Sequence, residues 1–192
     1  MACKPLFRAL SLSALILLSG CQALRGTHEI GSTPAALTDW NLDGRFGYRA
    51  GNDGGSASVK WEQRNEQGAL HFSGPLGIGS ARISWSPGHA ELDNGKEILT
   101  ATSTTELAWR LTGLDLPVEA LQFWVRGLPW PDASARPIFD QTGTLTSLDQ
   151  AGWQIRFDRY QAVGGLQLPA RIRAQHLDQR FTLIVKNWEP LP

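Results

Sequence analysis

Only two of the 192 residues are cysteine, Cys3 and Cys21. Two cysteines frame no disulfide scaffold and supply no cysteine-rich zinc site. Neither sign of charge is in excess, since 18 Lys and Arg balance 18 Asp and Glu. That excludes a nucleic-acid binder whose affinity rests on neutralising phosphates. The four histidines, His28, His71, His89 and His176, all lie more than four residues apart. H-E-x-x-H, C-x-x-C and EF-hand patterns are absent, so no metal and no cofactor is expected. There is no G-x-S-x-G nucleophile elbow. No G-x-x-x-x-G-K-[ST] loop occurs either, so nucleotide hydrolysis does not drive this protein. Gly77-Ile78-Gly79 begins like a dinucleotide loop, but Arg82 stands where a third glycine is required. Asp39, Asp43, Asp140, Asp149 and Asp158 read as turn or solvated-face residues. Nothing in the chain argues for an enzyme. The chain is nevertheless 42% hydrophobic with 8 Trp and 7 Phe, too apolar for a disordered polypeptide. Its length fits a single domain.

No apolar run approaches the about 20 residues needed to span a bilayer. Instead, Lys4 and Arg8 precede a short uncharged stretch, Ala9 to Leu18, the pattern of a signal-peptide core. Leu18-Ser19-Gly20-Cys21 follows and resembles the bacterial lipobox. The resemblance implies removal of residues 1–20, a diacylglycerol thioether on the Cys21 sulfur and an acyl chain on its amine. Losing Lys4 and Arg8 leaves 16 basic against 18 acidic residues. Three acyl chains anchor a protein firmly where one holds it only marginally. By lipoprotein sorting rules, Gln22 favours the outer membrane over retention in the inner one. Residues 21–38 read as a lipidated N-terminus and flexible tether, carrying Gly26, Gly31, Ser32, Thr33 and Pro34. Such a coil reaches roughly 20–25 Å. Residues 39–192 are expected to form one folded domain.

From Trp40 onward apolar and polar residues alternate with period two, the mark of half-buried strands. Leu42, Phe46 and Tyr48 alternate with charged residues, as do Ala57, Val59 and Trp61. Leu70 and Phe72, then Ala81, Ile83 and Trp85, continue the pattern. It returns at Trp153, Ile155 and Phe157, at Ala170, Ile172 and Ala174, and at Phe181, Leu183 and Val185. Asn52 to Gly55, Asn65 to Gly68, Ser86 to Gly88 and Asn94-Gly95 supply the turns. Short connections force antiparallel hairpins. Two helices fit between the strand groups. Ser103-Thr104-Thr105-Glu106 reads as a capping box opening a helix that Gly113 ends. Pro117 suits the start of a second helix bearing Val118, Leu121, Trp124 and Val125.

The expected fold is therefore mainly β, about ten antiparallel strands around one helical insertion. A sheet of that size curls, closing as a barrel or staying open with the helices plugging its concave side. A large curled sheet is hard to fill and can hold a ligand. Phe46, Trp61, Phe72, Ile83, Trp85, Trp153, Phe157 and Ile172 from the strands are candidates for an apolar cavity lining. Leu107, Leu111 and Trp124 from the helices complete it. Gly74 to Gly79 forms a loop between two strands, with Pro75, Leu76 and Gly77 at its tip. Leu76 has no strand phase to bury it and is a candidate for lipid contact.

In order along its length the chain resembles the LolB family of outer-membrane lipoprotein receptors. The matching motifs are the lipobox at Cys21, Trp61-Glu62-Gln63, Gly74 to Gly77, and Leu116-Pro117-Val118 with Leu121 and Trp124. Gly127-Leu128-Pro129, Gly152-Trp153, Tyr160, Leu168-Pro169 and Asn187-Trp188 complete the set. The resemblance implies an incompletely closed antiparallel barrel with helices as a lid over a hydrophobic cavity. It implies a protein lipid-anchored to the outer membrane and facing the periplasm, and a handover protein with one mouth needs to be no more than a monomer. It further implies that the protein accepts triacylated lipoproteins from the periplasmic carrier LolA and delivers them to the inner leaflet, with Leu76 serving delivery. The same cavity would also suit a passive binder of lipid or lipopolysaccharide.

Overall fold

The structure is a computed structural model that describes residues 33–74 and 79–192. Eleven strands form one antiparallel sheet. The first six are β1 (Asp39–Ala50), β2 (Asp53–Arg64), β3 (Gln67–Ser73), β4 (Ser80–Ser86), β5 (His89–Asp93) and β6 (Ile98–Ala101). Two helices follow, α1 (Thr104–Thr112) and α2 (Val118–Trp124). The last five strands are β7 (Ala135–Phe139), β8 (Leu145–Gln150), β9 (Trp153–Val163), β10 (Leu166–His176) and β11 (Gln179–Pro190).

The strand order is β6-β5-β4-β3-β2-β1-β11-β10-β9-β8-β7. The first and last strands pair in the middle, with Phe46 opposite Leu183 and Tyr48 opposite Phe181. Both edges then belong to the strands that flank the helical insertion. The segment joining β6 to β7 must pass from one edge to the other, and the shortest apolar route runs across the concave face. Topology thus makes the helices a plug. The sheet is curled but open, the second of the two arrangements left by the sequence.

The alternating segments all form strands in the expected phase. Four further strands, β5 to β8, bring the total to eleven. β7 lies at an edge with nearly every residue exposed and carries Pro137, where a missing N–H costs least.

Helix α1 begins and ends where expected. The Ser103 hydroxyl accepts from the Thr105 N–H at 3.1 Å. The reciprocal half of the capping box is not made, because Glu106 turns along the helix to Arg110 at 2.7 Å, an i,i+4 pair. Gly113 closes the helix at φ +68°, a conformation that costs other residues about 1 kcal/mol or more. Leu107 and Ala108 face inward from α1, which lies over β4, β5 and β6.

Residues 34–38, the last part of the expected tether, belong to the folded unit. Pro34–Ala36 makes a 3-10 turn, and the Leu37 side chain is buried. The Arg126 guanidinium holds them, its Nη1 donating to the carbonyl of Leu37 at 2.7 Å and of Pro34 at 3.4 Å.

Candidate functional site

The concave face divides into two halves. On β1 to β4 and β11, aromatic rings cluster beneath α1. Phe46 lies 5.6 Å from Phe181 and 6.0 Å from Phe72, ring centre to ring centre. Between them and the helices is an apolar void of about 30 Å³. Phe46, Trp61, Phe72 and Ile83 line it from the sheet, and Leu111 and Leu121 from the helices. Thr112 also borders it, but its hydroxyl is spent on the Ala108 carbonyl at 2.7 Å. The lining therefore offers a ligand no polar partner. Its volume is about that of one water molecule.

The other half, on β8 to β10, is filled. Trp153, Phe157 and Ile172 are buried there without bordering the void. The Trp153 indole donates to the Asp115 carbonyl at 3.2 Å and packs 5.4 Å from Phe181. Trp124 is buried too, its Nε1 donating to Oε1 of Gln150 at 2.9 Å. Gln150 is a buried polar hub. The same oxygen accepts from the Trp130 N–H, and its amide donates to the carbonyls of Trp130 and Ala133. Tyr160 donates to the Leu145 carbonyl at 2.6 Å, and burial pushes its phenol well above the usual range. Leu107 is buried on α1 beside the void rather than on its wall.

Trp85 faces a different space. A groove of about 530 Å³ opens at the end of the sheet where β2 turns into β3 and β4 into β5. Its apolar wall is Trp40, Trp85, Phe123 and Trp130, and its polar wall includes Gln63, Glu119, Gln122 and Arg126. Glu119 accepts from the hydroxyls of Ser103, Thr104 and Thr105 at the start of α1. Burial pushes its carboxyl up, but the bonds from Thr104, Thr105 and the backbone outweigh that and hold it below the ordinary value. Arg126 lies 5.2 Å over the Phe123 ring, and burial lowers the pKa of its guanidinium. Of the groove's walls only the strand residues such as Trp85 carry a periodic signal; turns and helix ends supply most of the rest.

The loop carrying Leu76 is at the opposite end of β3 and β4. Ser73 pairs with Ser80 next to the loop, and Gly68 pairs with Trp85 next to the groove. The loop's base is closed by the Gly74 N–H donating to the Gly79 carbonyl at 2.9 Å. Pro75, Leu76 and Gly77, like Cys21, lie outside the described residues.

Among the described residues no group of three or more His, Cys, Asp or Glu comes together to hold a metal. Asp158, one of the dispersed acids, pairs with Arg173 at 2.6 Å on a strand surface.

Solved structures share the architecture at low identity. A LolA-superfamily protein from Nitrosomonas europaea matches with a TM-score of 0.55 and 8% identity, over 81% of this chain and 87% of that one. A DUF1329-family protein from Desulfovibrio piger matches at 0.56 and 8%, over 82% and 87%. Those likenesses concern the fold alone. Sequence relatives are closer. The outer-membrane lipoprotein LolB of Pseudomonas aeruginosa PAO1 is 38% identical over 94% of this chain and 95% of its own length. That of Ectopseudomonas mendocina is 37% identical over 93% and 94%. The family model for the outer membrane lipoprotein LolB matches residues 38–188, almost all of the folded unit. With the fold, the plugged concave face and relatives of this closeness, the chain belongs to the LolB family of outer-membrane lipoproteins.

Proposed function

We propose that this protein receives acylated lipoproteins from the periplasmic carrier LolA and passes them to the inner leaflet of the outer membrane without nucleotide hydrolysis. Membership of the family makes it a lipid-anchored outer-membrane protein with a role in lipoprotein localisation. Residues 1–20 are removed, Cys21 carries the anchor, and the chain between Cys21 and Pro34 tethers one folded unit. The observation that carries the reading is the void beneath α1, whose lining offers no free polar group and which is roofed by helices that link the two sheet edges.

Exposing a 16-carbon chain to water costs on the order of 12 kcal/mol at about 0.8 kcal/mol per methylene. A triacylated cargo therefore passes from one apolar compartment to another. With no nucleotide-binding loop, each transfer runs downhill, by tighter acyl binding here than on the carrier. The bilayer is the final sink. The similarity of this fold to the LolA superfamily supports compartments of like construction on both sides of the exchange.

Leu76 acts at release. Its loop stands at the end of the sheet away from the groove, and the void reaches that end through Phe72, two residues before Gly74. Leu76→Glu should leave acceptance of cargo from the carrier intact and impair incorporation of that cargo into vesicles. Normal incorporation by Leu76→Glu removes the residue from release.

A further inference from the structure

We infer that the groove beside the apolar void is the site for the polar head of the cargo: its cysteinyl-glyceryl ester and amide groups and the first residues of its polypeptide. The inference rests on the proposed function and extends it from acyl chains to peptide.

The groove and the void are neighbouring compartments with a thin shared wall. Val118 borders both. Trp61 borders the void and Trp85 the groove, and the two rings meet edge to face at 6.1 Å. A lipoprotein presents the same sequence of chemistry, acyl chains first and then esters, amides and peptide. A site that buries the first part must place the second immediately outside, and immediately outside lies the groove.

The groove's polar groups suit neutral esters and amides better than an ion. Three donor atoms of Arg126 are in view. Nε bonds the Gln122 carbonyl at 2.9 Å and Nη1 bonds the carbonyls of Pro34 and Leu37. Nη2 has no acceptor among the described residues. Arg126 forms no ion pair among the described residues either, so its charge is free to polarise a carbonyl. Trp40 is fully buried on the groove wall, and its Nε1–H likewise lacks a partner. Three acidic side chains, Glu66, Glu119 and Asp132, line the groove against the single guanidinium of Arg126, which disfavours a phosphate or a free carboxylate there. Phe123 and Trp130 give flat faces for a peptide backbone.

The test uses the chain from residue 21 onward with Cys21→Ser, so that its own acyl groups do not compete. The probes are a tripalmitoyl-cysteinyl-seryl-tetralysine lipopeptide and a fluorescent 16-carbon fatty acid. Phe123→Ala and Trp130→Ala should each weaken lipopeptide binding about tenfold, the equivalent of about 1.4 kcal/mol, and leave fatty-acid binding within about twofold. Gln122→Ala, which keeps the carbonyl that holds Arg126 and removes only a half-buried polar side chain, should show the same split without loss of fold. Unchanged lipopeptide affinity, or equal loss for both probes, overturns the inference. If the fatty acid binds the unsubstituted chain and the lipopeptide binds no more tightly, the inference fails while the proposed function stands. If neither probe binds, the proposed function fails. A photoreactive benzoylphenylalanine at position 123 should crosslink to the peptide part of the probe. Crosslinking only to residues 22–32 of this chain would show that its own tether fills the groove, and would overturn the inference.

Discussion

Trp61 and Trp85 stand edge to face with ring centres 6.1 Å apart, and each faces a different compartment. Trp61 is fixed by its Nε1, which donates to Oε1 of Gln63 at 3.0 Å, while the Gln63 amide donates to the Asn65 carbonyl. Trp85 lies flat against β3 because position 68 is glycine: a Cβ there would come within 2.4 Å of the Trp85 ring. Two indoles thus separate a dry interior from a half-polar groove. The partition is made of side chains rather than backbone.

A void the size of one water molecule holds no acyl chain, so α1 must move away from the concave face for cargo to enter. Gly113 and Ala50 permit a staple across that seam. A Cβ at position 113 lies 3.9 Å from the Ala50 Cβ, within the range of about 3.5–4.5 Å that a disulfide spans. In the double variant Ala50→Cys, Gly113→Cys, oxidation should weaken binding of a fluorescent fatty acid at least about tenfold. Reduction should restore it. Equal affinity in both redox states would mean that the chain enters without movement at this seam.

Trp124 should matter for stability rather than for ligand. Trp124→Phe removes the donor to Gln150 while the Trp130 N–H still satisfies that oxygen. The loss of one hydrogen bond and part of a buried ring should cost about 1–3 kcal/mol, read as a lower urea midpoint. Fatty-acid affinity of the folded variant should not change. A weakened affinity at full stability would return Trp124 to the cavity wall.

Much of this was legible in the sequence, and the limits have physical causes. Alternation marks which side chains point to the concave face, so Phe46, Trp61, Phe72 and Ile83 were foreseeable as inward residues. Alternation does not say which part of that face the helices fill. Trp153, Phe157 and Ile172 carry the same periodic signal but lie in the filled half. β7 gave no signal because both its faces are exposed. Beyond Trp85, the groove was hidden because Asn65, Pro87, Thr102 and Arg126 reach it from four separate turns or helix ends. Residues 34–38 read as tether from the sequence because the contact that docks them comes from Arg126, about ninety residues along the chain.

Glu119 links stability to pH. Its carboxyl has a lower pKa folded than unfolded, so the ionised form favours the native state. That contribution is fully present above the ordinary carboxyl value near 4.5 and is lost as the pH falls through the lower folded value. Glu119→Gln should therefore lower the melting temperature at pH 7 and narrow its difference from the unsubstituted protein below pH 4. A constant difference across that range would assign the hydrogen bonds to the threonine hydroxyls no ionic character.

The central claim is that cargo moves downhill into this protein. The direct measurement mixes the chain from residue 21 onward, carrying Cys21→Ser, with LolA loaded with a triacylated lipoprotein and asks which protein holds the cargo at equilibrium, with no nucleotide present. The account predicts that most of the cargo transfers to this protein. Cargo that stays on the carrier while a fatty acid still binds here would contradict it and leave a passive lipid binder.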